Sequence, residues 1–231
     1  PTMSQYPERV KTILDDPKLR LSADPLPGGE GRPSFSVYWA GSDNPRIDVW
    51  TNLPNDKDNG RIRADLDLPC FYDFLELIKY VANNDMAVEE PFVIENSTHP
   101  WDKNAGKKSK DLVVQTRLAA GKDQEGKIYI AVTSWEKDRP KIRFYFGTGY
   151  FHSMGFPGGK KMSNSEVSKF RAMSFYNMMS HLMAAVAVKD WEPRPPKDRN
   201  QQNGGNRGGG GYGNNTQQRG NNSYEAEDLP F

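Results

Sequence analysis

Basic and aromatic side chains occupy alternating positions in several short segments of this chain. Arginine and lysine pair with phosphate, while tryptophan and tyrosine offer flat rings on which an unpaired base of any kind stacks for ~1–3 kcal/mol. The pattern is therefore typical of a surface that binds single strands without reading their sequence. The candidate residues are Arg46, Trp50, Arg61, Arg63, Lys107, Lys108, Arg117, Tyr129, Lys141, Arg143 and Tyr145.

The residues between these candidates are mostly apolar, which predicts the β-strands that must position them. A period of two puts successive side chains on opposite faces of a strand, so the apolar set faces a core and the candidate set faces outward. The predicted strands span 34–39, 46–53, 61–67, 92–95, 112–118, 128–132 and 142–146. The second and third form a hairpin, and the last three form an antiparallel meander.

Two segments change to helical spacing. Apolar residues recur three and four positions apart over 69–84, with Pro69 near the first turn. A longer helix begins near Ser163, because Ser163 and Glu166 have the spacing of a capping box, and it ends at about Val188. Its apolar stripe is predicted to comprise Val167, Phe170, Met173, Met178, Leu182, Ala185 and Val186. The chain is therefore predicted to be mainly β with added helices.

Both ends of the chain differ in composition from this body. Scattered prolines and mixed charges over 1–33 predict an extended N-terminal arm, which leaves 34–192 as the folded domain. Residues 193–222 contain three prolines and eight glycines among many asparagines and glutamines. Such a segment cannot bury enough apolar surface to offset its chain entropy, so it is predicted to be a disordered tether. Residues 223–231 form a terminal peptide.

Charge is unevenly distributed along the chain. The formal net charge is +1, yet 193–222 has five basic residues against one acidic residue and 223–231 has three acidic residues. Residues 1–192 are therefore neutral in total. A nucleic-acid-binding protein usually has a basic footprint, which in this domain must come from local clustering.

The terminal peptide closes in Asp228-Leu229-Pro230-Phe231, and Glu225 and Glu227 precede it. A tether rich in glycine, asparagine and glutamine, followed by a short acidic peptide ending in Pro-Phe, resembles the C-terminus of bacterial-type single-stranded-DNA-binding proteins. Those proteins end in Asp-Ile-Pro-Phe, so Leu229 departs from their pattern. The resemblance covers residues from about 193 to the end.

This resemblance implies a function and a fold. The function is sequence-independent binding and protection of single-stranded DNA in replication, recombination or repair. The fold is an oligonucleotide-binding β-barrel, here with about five or six antiparallel strands, one helix after the third strand and a long C-terminal helix. Because the domain 34–192 is longer than the compact bacterial domain, the resemblance suggests a divergent, bacteriophage version.

The resemblance also implies partners for the terminal peptide. In the family, the tip docks onto helicases, nucleases and primosome proteins through its Pro-Phe end and its carboxylate. Those roles would fall on Asp228, Leu229, Pro230 and Phe231, while Glu225 and Glu227 steer the encounter with basic partner pockets.

Several other classes of protein are disfavoured by the sequence. Cys70 is the only cysteine, which excludes an intrachain disulfide, and no Cys/His cluster has zinc spacing. The first residues are charged, so we expect no signal peptide. No apolar run approaches the ~18 residues of a membrane span, so we expect no membrane association and a cytoplasmic location, in the host if the protein is viral.

The sequence shows no clear set of catalytic residues. Gly155, Gly158, Gly159 and Lys160 lack the spacing of a phosphate-binding P-loop, and no acid–base or nucleophile constellation is evident. We therefore expect no enzyme, cofactor or metal. Three alternatives stay open: an RNA-binding protein using Arg207-Gly208-Gly209, a metal-dependent nuclease using Glu89–Glu90 and the acidic residues of 55–67, and an adaptor that binds protein alone. The oligomeric state is undetermined.

Overall fold

The computed structural model describes residues 11–40, 44–84, 90–102, 106–136, 138–147 and 152–189. The chain divides into two units, Pro1–Trp191 and Glu192–Phe231. The second unit, which contains the predicted tether and terminal peptide, lies outside the described residues.

The first half of the described fold is a four-stranded antiparallel sheet followed by a helix. The four strands pair in chain order, and we call them sheet 1. They are β1 (Leu21–Ser22), β2 (Ser34–Ala40), β3 (Asn44–Trp50) and β4 (Arg61–Asp65), with the single turn α1 (Lys57–Gly60) before β4 and the helix α2 (Leu68–Asn83) after it. Asp67 caps α2 by accepting a hydrogen bond from the Cys70 N–H at 2.8 Å. The predicted hairpin and first helix are confirmed.

The second half repeats this order of four strands and a helix. Its strands form sheet 2, with the spatial order β10-β9-β8-β5, and a two-stranded hairpin is inserted after the first of them. The elements are β5 (Phe92–Thr98), the hairpin strands β6 (Trp101–Asp102) and β7 (Lys107–Lys108), then β8 (Val113–Lys122), β9 (Ile128–Ser134), β10 (Arg143–Tyr145) and the helix α3 (Asn164–Lys189). The predicted meander of three strands is confirmed.

The predicted N-terminal arm is described from residue 11. Its first part consists of two short 3-10 turns, Ile13–Asp15 and Pro17–Leu19. Leu14 is buried in the core, and Leu21 in β1 pairs with Phe35 of β2. This part of the segment therefore contributes both to the core and to sheet 1.

Apolar side chains from both sheets and both long helices meet in one core. Phe35 of sheet 1 contacts Phe144 of sheet 2 with ring centroids 5.7 Å apart. Phe175 of α3 lies 6.3 Å from Phe35 and 5.3 Å from Phe146. Full burial of one such ring contributes about 1.5–3 kcal/mol, so this cluster holds the two sheets and α3 together.

The predicted barrel is not closed by the described strands. Side chains, rather than a strand of sheet 2, bind the outer edge of β4. Arg139 donates a hydrogen bond to the carbonyl oxygen of Arg61 at 3.0 Å, and Asn96 donates one to that of Asp65 at 3.1 Å. The fold is thus mainly β with added helices, as predicted, but it consists of two open sheets.

The long helix α3 begins as predicted, but its apolar stripe differs. Glu166 accepts a hydrogen bond from the Ser163 N–H at 2.8 Å, and its own N–H donates to the Ser163 hydroxyl at 3.3 Å, which confirms the capping box. Phe170, Met178 and Ala185 are predicted to lie in the stripe but are exposed. The buried residues are Val167, Ser168, Ala172, Phe175, Met179, Met183, Val186 and Ala187. Because 172–188 contains no Asp, Glu, Lys or Arg, no charged position marks the outer face there.

Several strand boundaries also differ from the pattern. β3 ends at Trp50 rather than at 53, and β5 continues to Thr98. Leu112 precedes β8 and is 65% exposed, so it does not share the buried face of Leu118. The hairpin β6–β7 lies between the predicted strands 92–95 and 112–118, where the sequence pattern indicates no strand. Turn residues with apolar or β-branched side chains, such as Thr51 and Leu53, account for the error in β3.

Candidate nucleic-acid interface

Sheet 1 presents a polar face on the side away from the core. The register pairs Trp50 with Arg61, Asp48 with Arg63, and Arg46 with Asp65. We call this surface outer face 1; its members are Tyr38, Arg46, Asp48, Trp50, Arg61, Arg63 and Asp65. The intervening residues of β3 and β4 are buried in the core. The four sequence candidates of sheet 1 therefore lie on one surface.

Two of the three arginines on outer face 1 pair with carboxylates. The Arg63 Nε lies 3.0 Å from Asp48 Oδ1, and Asp48 also accepts a hydrogen bond from the Tyr38 hydroxyl at 2.9 Å. Arg46 pairs with Asp65 and lies 5.8 Å from the centroid of the Tyr38 ring. Burial, followed by the Asp48 charge, raises the pKa of Tyr38. These contacts fix the side chains and neutralise much of their charge.

Arg61 differs from these two arginines. Its guanidinium carbon lies 5.6 Å from the centroid of the Trp50 ring, and among the described residues no carboxylate lies within ion-pair distance of it. Trp50 is 37% exposed. The pair therefore offers a positive charge and an accessible ring side by side, which are the two groups that a phosphate and an unpaired base require.

Sheet 2 has a second face, which lies away from the shared core and is built from cross-strand rows, although Ala119, Tyr129, Ala131 and Thr133 on it are buried. One row runs from Arg143 through Ala131 to Ala119, and the next from Tyr145 through Tyr129 to Gly121. We call this surface outer face 2; its members are Glu95, Arg117, Ala119, Gly121, Tyr129, Ala131, Thr133, Arg143 and Tyr145. The Arg143 guanidinium carbon is 4.6 Å from the centroid of the Tyr129 ring, and the rings of Tyr129 and Tyr145 are 5.6 Å apart.

Tyr129 is only 2% exposed, which corrects the expectation that its ring faces solvent. The ring lies across the neighbouring strand at Gly121, where an added Cβ would come within 2.7 Å of the Tyr129 hydroxyl oxygen. Only glycine leaves room for this close approach. Burial raises the pKa of Tyr129. The ring acts as a platform beneath Arg143, while Tyr145 beside it is 38% exposed.

The remaining candidates are less closely grouped. Arg117 lies on outer face 2, where its Nε is 3.0 Å from Glu95 Oε1. Lys141 is exposed just before β10, and Lys107 and Lys108 are exposed on the hairpin strand β7. The contacts do not place these three lysines on either outer face.

A cleft lies where outer face 1 meets sheet 2. It has a volume of about 330 Å³ and includes Arg61 and Arg63 of β4. Its lining residues are Asp58, Arg61, Ile62, Arg63, Gln115, Thr116, Ser134, Trp135, Glu136 and Arg139. Trp135, which is 55% exposed, was not a candidate, although it lies two and six residues after the outward positions Thr133 and Tyr129. Arg139 carried no signal in the sequence, since it lies in a turn beside Pro140.

The buried Arg139 side chain joins the two loops that border this cleft. Its Nε lies 2.9 Å from Asp56 Oδ1, and the two side chains are 3% and 7% exposed. Asp56 in turn accepts a hydrogen bond from the Thr51 hydroxyl at 2.7 Å. Asp58 and Glu136, the acidic residues of the cleft, also lie 3.4 and 3.6 Å from Arg139. The loop before β4 is thereby fastened to the loop after β9, and Arg139, together with Lys57 at 3.0 Å from Glu136, offsets part of the acidic charge at the cleft.

The predicted partner-binding tip, Glu225, Glu227, Asp228, Leu229, Pro230 and Phe231, lies outside the described residues. In the described part of the chain, no helix is both long and apolar enough to cross a membrane. Within the same residues, no group of three or more His, Cys, Asp or Glu side chains could hold a metal ion. The described candidates thus comprise two outer faces and the cleft beside the first.

Comparisons with known proteins leave the function to be argued from this geometry. No family model, no curated protein and no solved structure matches the chain.

Proposed function

We propose that the chain binds single-stranded DNA with little sequence preference, along the outer faces of its two sheets, and recruits DNA-processing proteins through Glu225–Phe231. Its role would be protection of single strands in replication, recombination or repair, in the cytoplasm of a bacterium or of a phage-infected host. The kinship of the domain to the oligonucleotide-binding fold is part of the same proposal, although its sheets are open.

The observation that carries this proposal is the contact between Arg61 and the exposed ring of Trp50. A cation on an accessible tryptophan, with no carboxylate within ion-pair distance in the described residues, meets both needs of an unpaired strand. Phosphate attracts the guanidinium, and a base stacks on the ring for ~1–3 kcal/mol. The ion-paired Arg46 and Arg63 on the same face lack this combination.

Outer face 2 supports the same function with a different arrangement. Arg143 lies over Tyr129 and is adjacent to the exposed Tyr145, so a cation and a ring are again neighbours. The small side chains of Ala131 and Ala119 continue the row of Arg143 across the sheet. Because both alanines are buried, a strand lying on this face would contact Arg143 and Tyr145 rather than this row.

Support for the recruiting role comes from the sequence alone. Phe231 with its carboxylate can enter an apolar pocket with a basic rim, and the acidic residues before it would speed the encounter. The glycine-rich segment 193–222 gives the tip a long reach. Removal of 225–231 should abolish the capture of partner proteins and leave the affinity for DNA unchanged or slightly raised.

The test of DNA binding is a fluorescence titration with poly(dT), since bases that stack on tryptophan quench its emission. We expect tight binding that weakens steeply with salt, because bound phosphates release counterions. Trp50→Ala should weaken binding, whereas Phe170→Ala, which removes an exposed ring from α3, should not. Equal affinity in the wild type and Trp50→Ala would remove outer face 1 from the site.

Three other outcomes would replace the proposal. Tighter binding of a matched RNA oligonucleotide would assign the protein to RNA. Cleavage of a labelled strand in the presence of magnesium would make it a nuclease. Salt-independent binding, or none to either nucleic acid, would favour an adaptor that binds protein alone.

A further inference from the structure

We infer that the cleft between β4 and the ends of β8 and β9 is a subsite for one nucleobase, which leaves the stack of the bound strand and lies on Trp135. This inference rests on the proposed function and names a part of the site that the sequence did not identify. The cleft has a volume of about 330 Å³, which is at the lower end of the range of ~300–1,000 Å³ found for small-ligand sites.

Trp135 supplies the stacking surface. It follows β9 directly, and its backbone N–H donates a hydrogen bond to the Gln115 carbonyl oxygen at 3.1 Å. The backbone that carries the ring is therefore fixed to sheet 2, while the side chain is 55% exposed at the cleft. An exposed tryptophan held at the mouth of a polar cleft fits a flat, partly polar ligand.

The edge of β4 supplies a backbone donor and acceptor. Thr51 N–H bonds to the Gly60 carbonyl and Leu66 N–H bonds to the Pro45 carbonyl, so the even-numbered residues of β4 face β3. The odd-numbered residues therefore direct their N–H and C=O groups to the outer edge. Arg139 and Asn96 bind the carbonyls at the two ends of this edge.

The peptide groups of Arg63 lie between those two contacts. Within the ranges that the structure describes, no strand pairs with this edge of β4, so the N–H and C=O of Arg63 are directed away from β3 toward the cleft. A donor and an acceptor on one residue, pointing the same way, match the adjacent acceptor and donor groups on the edge of a base. The cleft thus has both a ring for the face of a base and polar groups for its edge.

The other polar groups of the cleft can adapt to different bases. The amide of Gln115 and the hydroxyl of Ser134 can each donate or accept a hydrogen bond, so the subsite need not select one base. Arg61 connects the cleft with Trp50, because the residue lines the cleft and its guanidinium lies on that ring. A strand could therefore pass from outer face 1 into the cleft while its phosphate stays near Arg61.

The experiment combines the loss of one base from the oligonucleotide with the loss of the Trp135 ring from the protein. A dT oligonucleotide is first shortened to the measured site size so that it cannot slide, and a single abasic site is then moved along it. For the wild type, we expect one position at which loss of the base weakens binding about fivefold or more, as for one stacked base. For Trp135→Ala, the same abasic site should cost less than about twofold, since the ring is already absent.

Further variants decide between the possible results. Gln115→Ala, and Trp135→Leu if Trp135→Ala does not fold, should reduce the penalty at the same position, whereas Phe170→Ala should retain the full wild-type penalty. Equal penalties in the wild type and the Trp135 variants at every position would overturn the subsite while leaving DNA binding intact. A wild type that does not bind the intact dT oligonucleotide would instead overturn the proposed function itself.

Discussion

The two outer faces pair an arginine with an aromatic ring in different ways. Arg61 lies on Trp50, which is 37% exposed, whereas Arg143 lies on Tyr129, which is 2% exposed. The neighbour on the next strand accounts for the difference. Gly121 leaves room for the Tyr129 ring on the adjacent strand, whereas the cross-strand neighbours of Trp50 are Ser34 and Arg61, both of which carry side chains. An outward position in a strand therefore does not by itself make a ring accessible.

This difference assigns distinct roles to similar residues. On outer face 1 the ring itself can receive a base, and the cation lies beside it. On outer face 2 the buried ring belongs to the structure, and the groups available to a strand are Arg143 and the neighbouring Tyr145. The difference in burial should therefore separate the two rings in stability, in affinity and in titration.

The largest expected effect is on stability. Tyr129→Ala should lower the free energy of unfolding by about 3–5 kcal/mol, because it removes a buried ring and leaves a cavity over Gly121. Trp50→Ala should lower it by less than about 1 kcal/mol, since an exposed side chain is lost. Urea denaturation of the two variants measures both values. Similar losses would contradict the distinction between the faces.

For DNA affinity, the substitution at Trp50 should have a larger effect than the substitution at Tyr129. Trp50→Ala should weaken binding of poly(dT) by about 1–3 kcal/mol, the contribution of one stacked base. Tyr129→Phe should leave the affinity unchanged, because it keeps the ring under Arg143. Tyr145→Ala should weaken binding, as the ring is 38% exposed. Fluorescence titrations at one salt concentration compare the three, and a loss in Tyr129→Phe equal to that in Trp50→Ala would refute the assignment.

Salt dependence tests the cations of both faces. Arg61→Gln and Arg143→Gln should each reduce the magnitude of the slope of log K against log salt by about 0.7, the value for one phosphate contact on a single strand. Phe170→Ala serves as the control and should keep the wild-type slope. If only one arginine variant changes the slope, the strand occupies only one face, and the proposal of a path over both is wrong.

The sequence predicted the elements of this fold better than their assembly. Alternation over 61–67 and helical spacing over 69–84 located β4 and α2 to within a few residues, because each pattern is local. The closed barrel depended on which strand edges meet, and those edges are bound by the side chains of Arg139 and Asn96. Contacts made by single side chains, one in a turn (Arg139) and one in β5 (Asn96), leave no periodic signal, so this arrangement could not be predicted.

The same limit applies to the candidate site. The strand period and a hairpin register were sufficient to predict one shared face for four residues, and the structure brings them together. These residues are Arg46, Trp50, Arg61 and Arg63. The burial of Tyr129 depends on Gly121 in the adjacent strand, and the ion pair of Arg63 depends on Asp48. The cleft combines residues from three separate segments, 58–63, 115–116 and 134–139. Such cross-strand relations require the register of sheets that the sequence alone does not provide.

The smallest expected effect is on the pH dependence of stability. Burial raises the pKa of Tyr129 above the ordinary tyrosine value of 10.0, with Arg143 opposing the shift. Because the folded state favours the protonated phenol, its contribution is fully present below about pH 10 and is lost as pH rises through the folded pKa. Tyr129→Phe cannot ionise, so its free energy of unfolding should fall less than that of the wild type between about pH 9 and about pH 11. Denaturation curves at these two pH values measure the difference, and parallel losses in both proteins would show that the phenol is in contact with water.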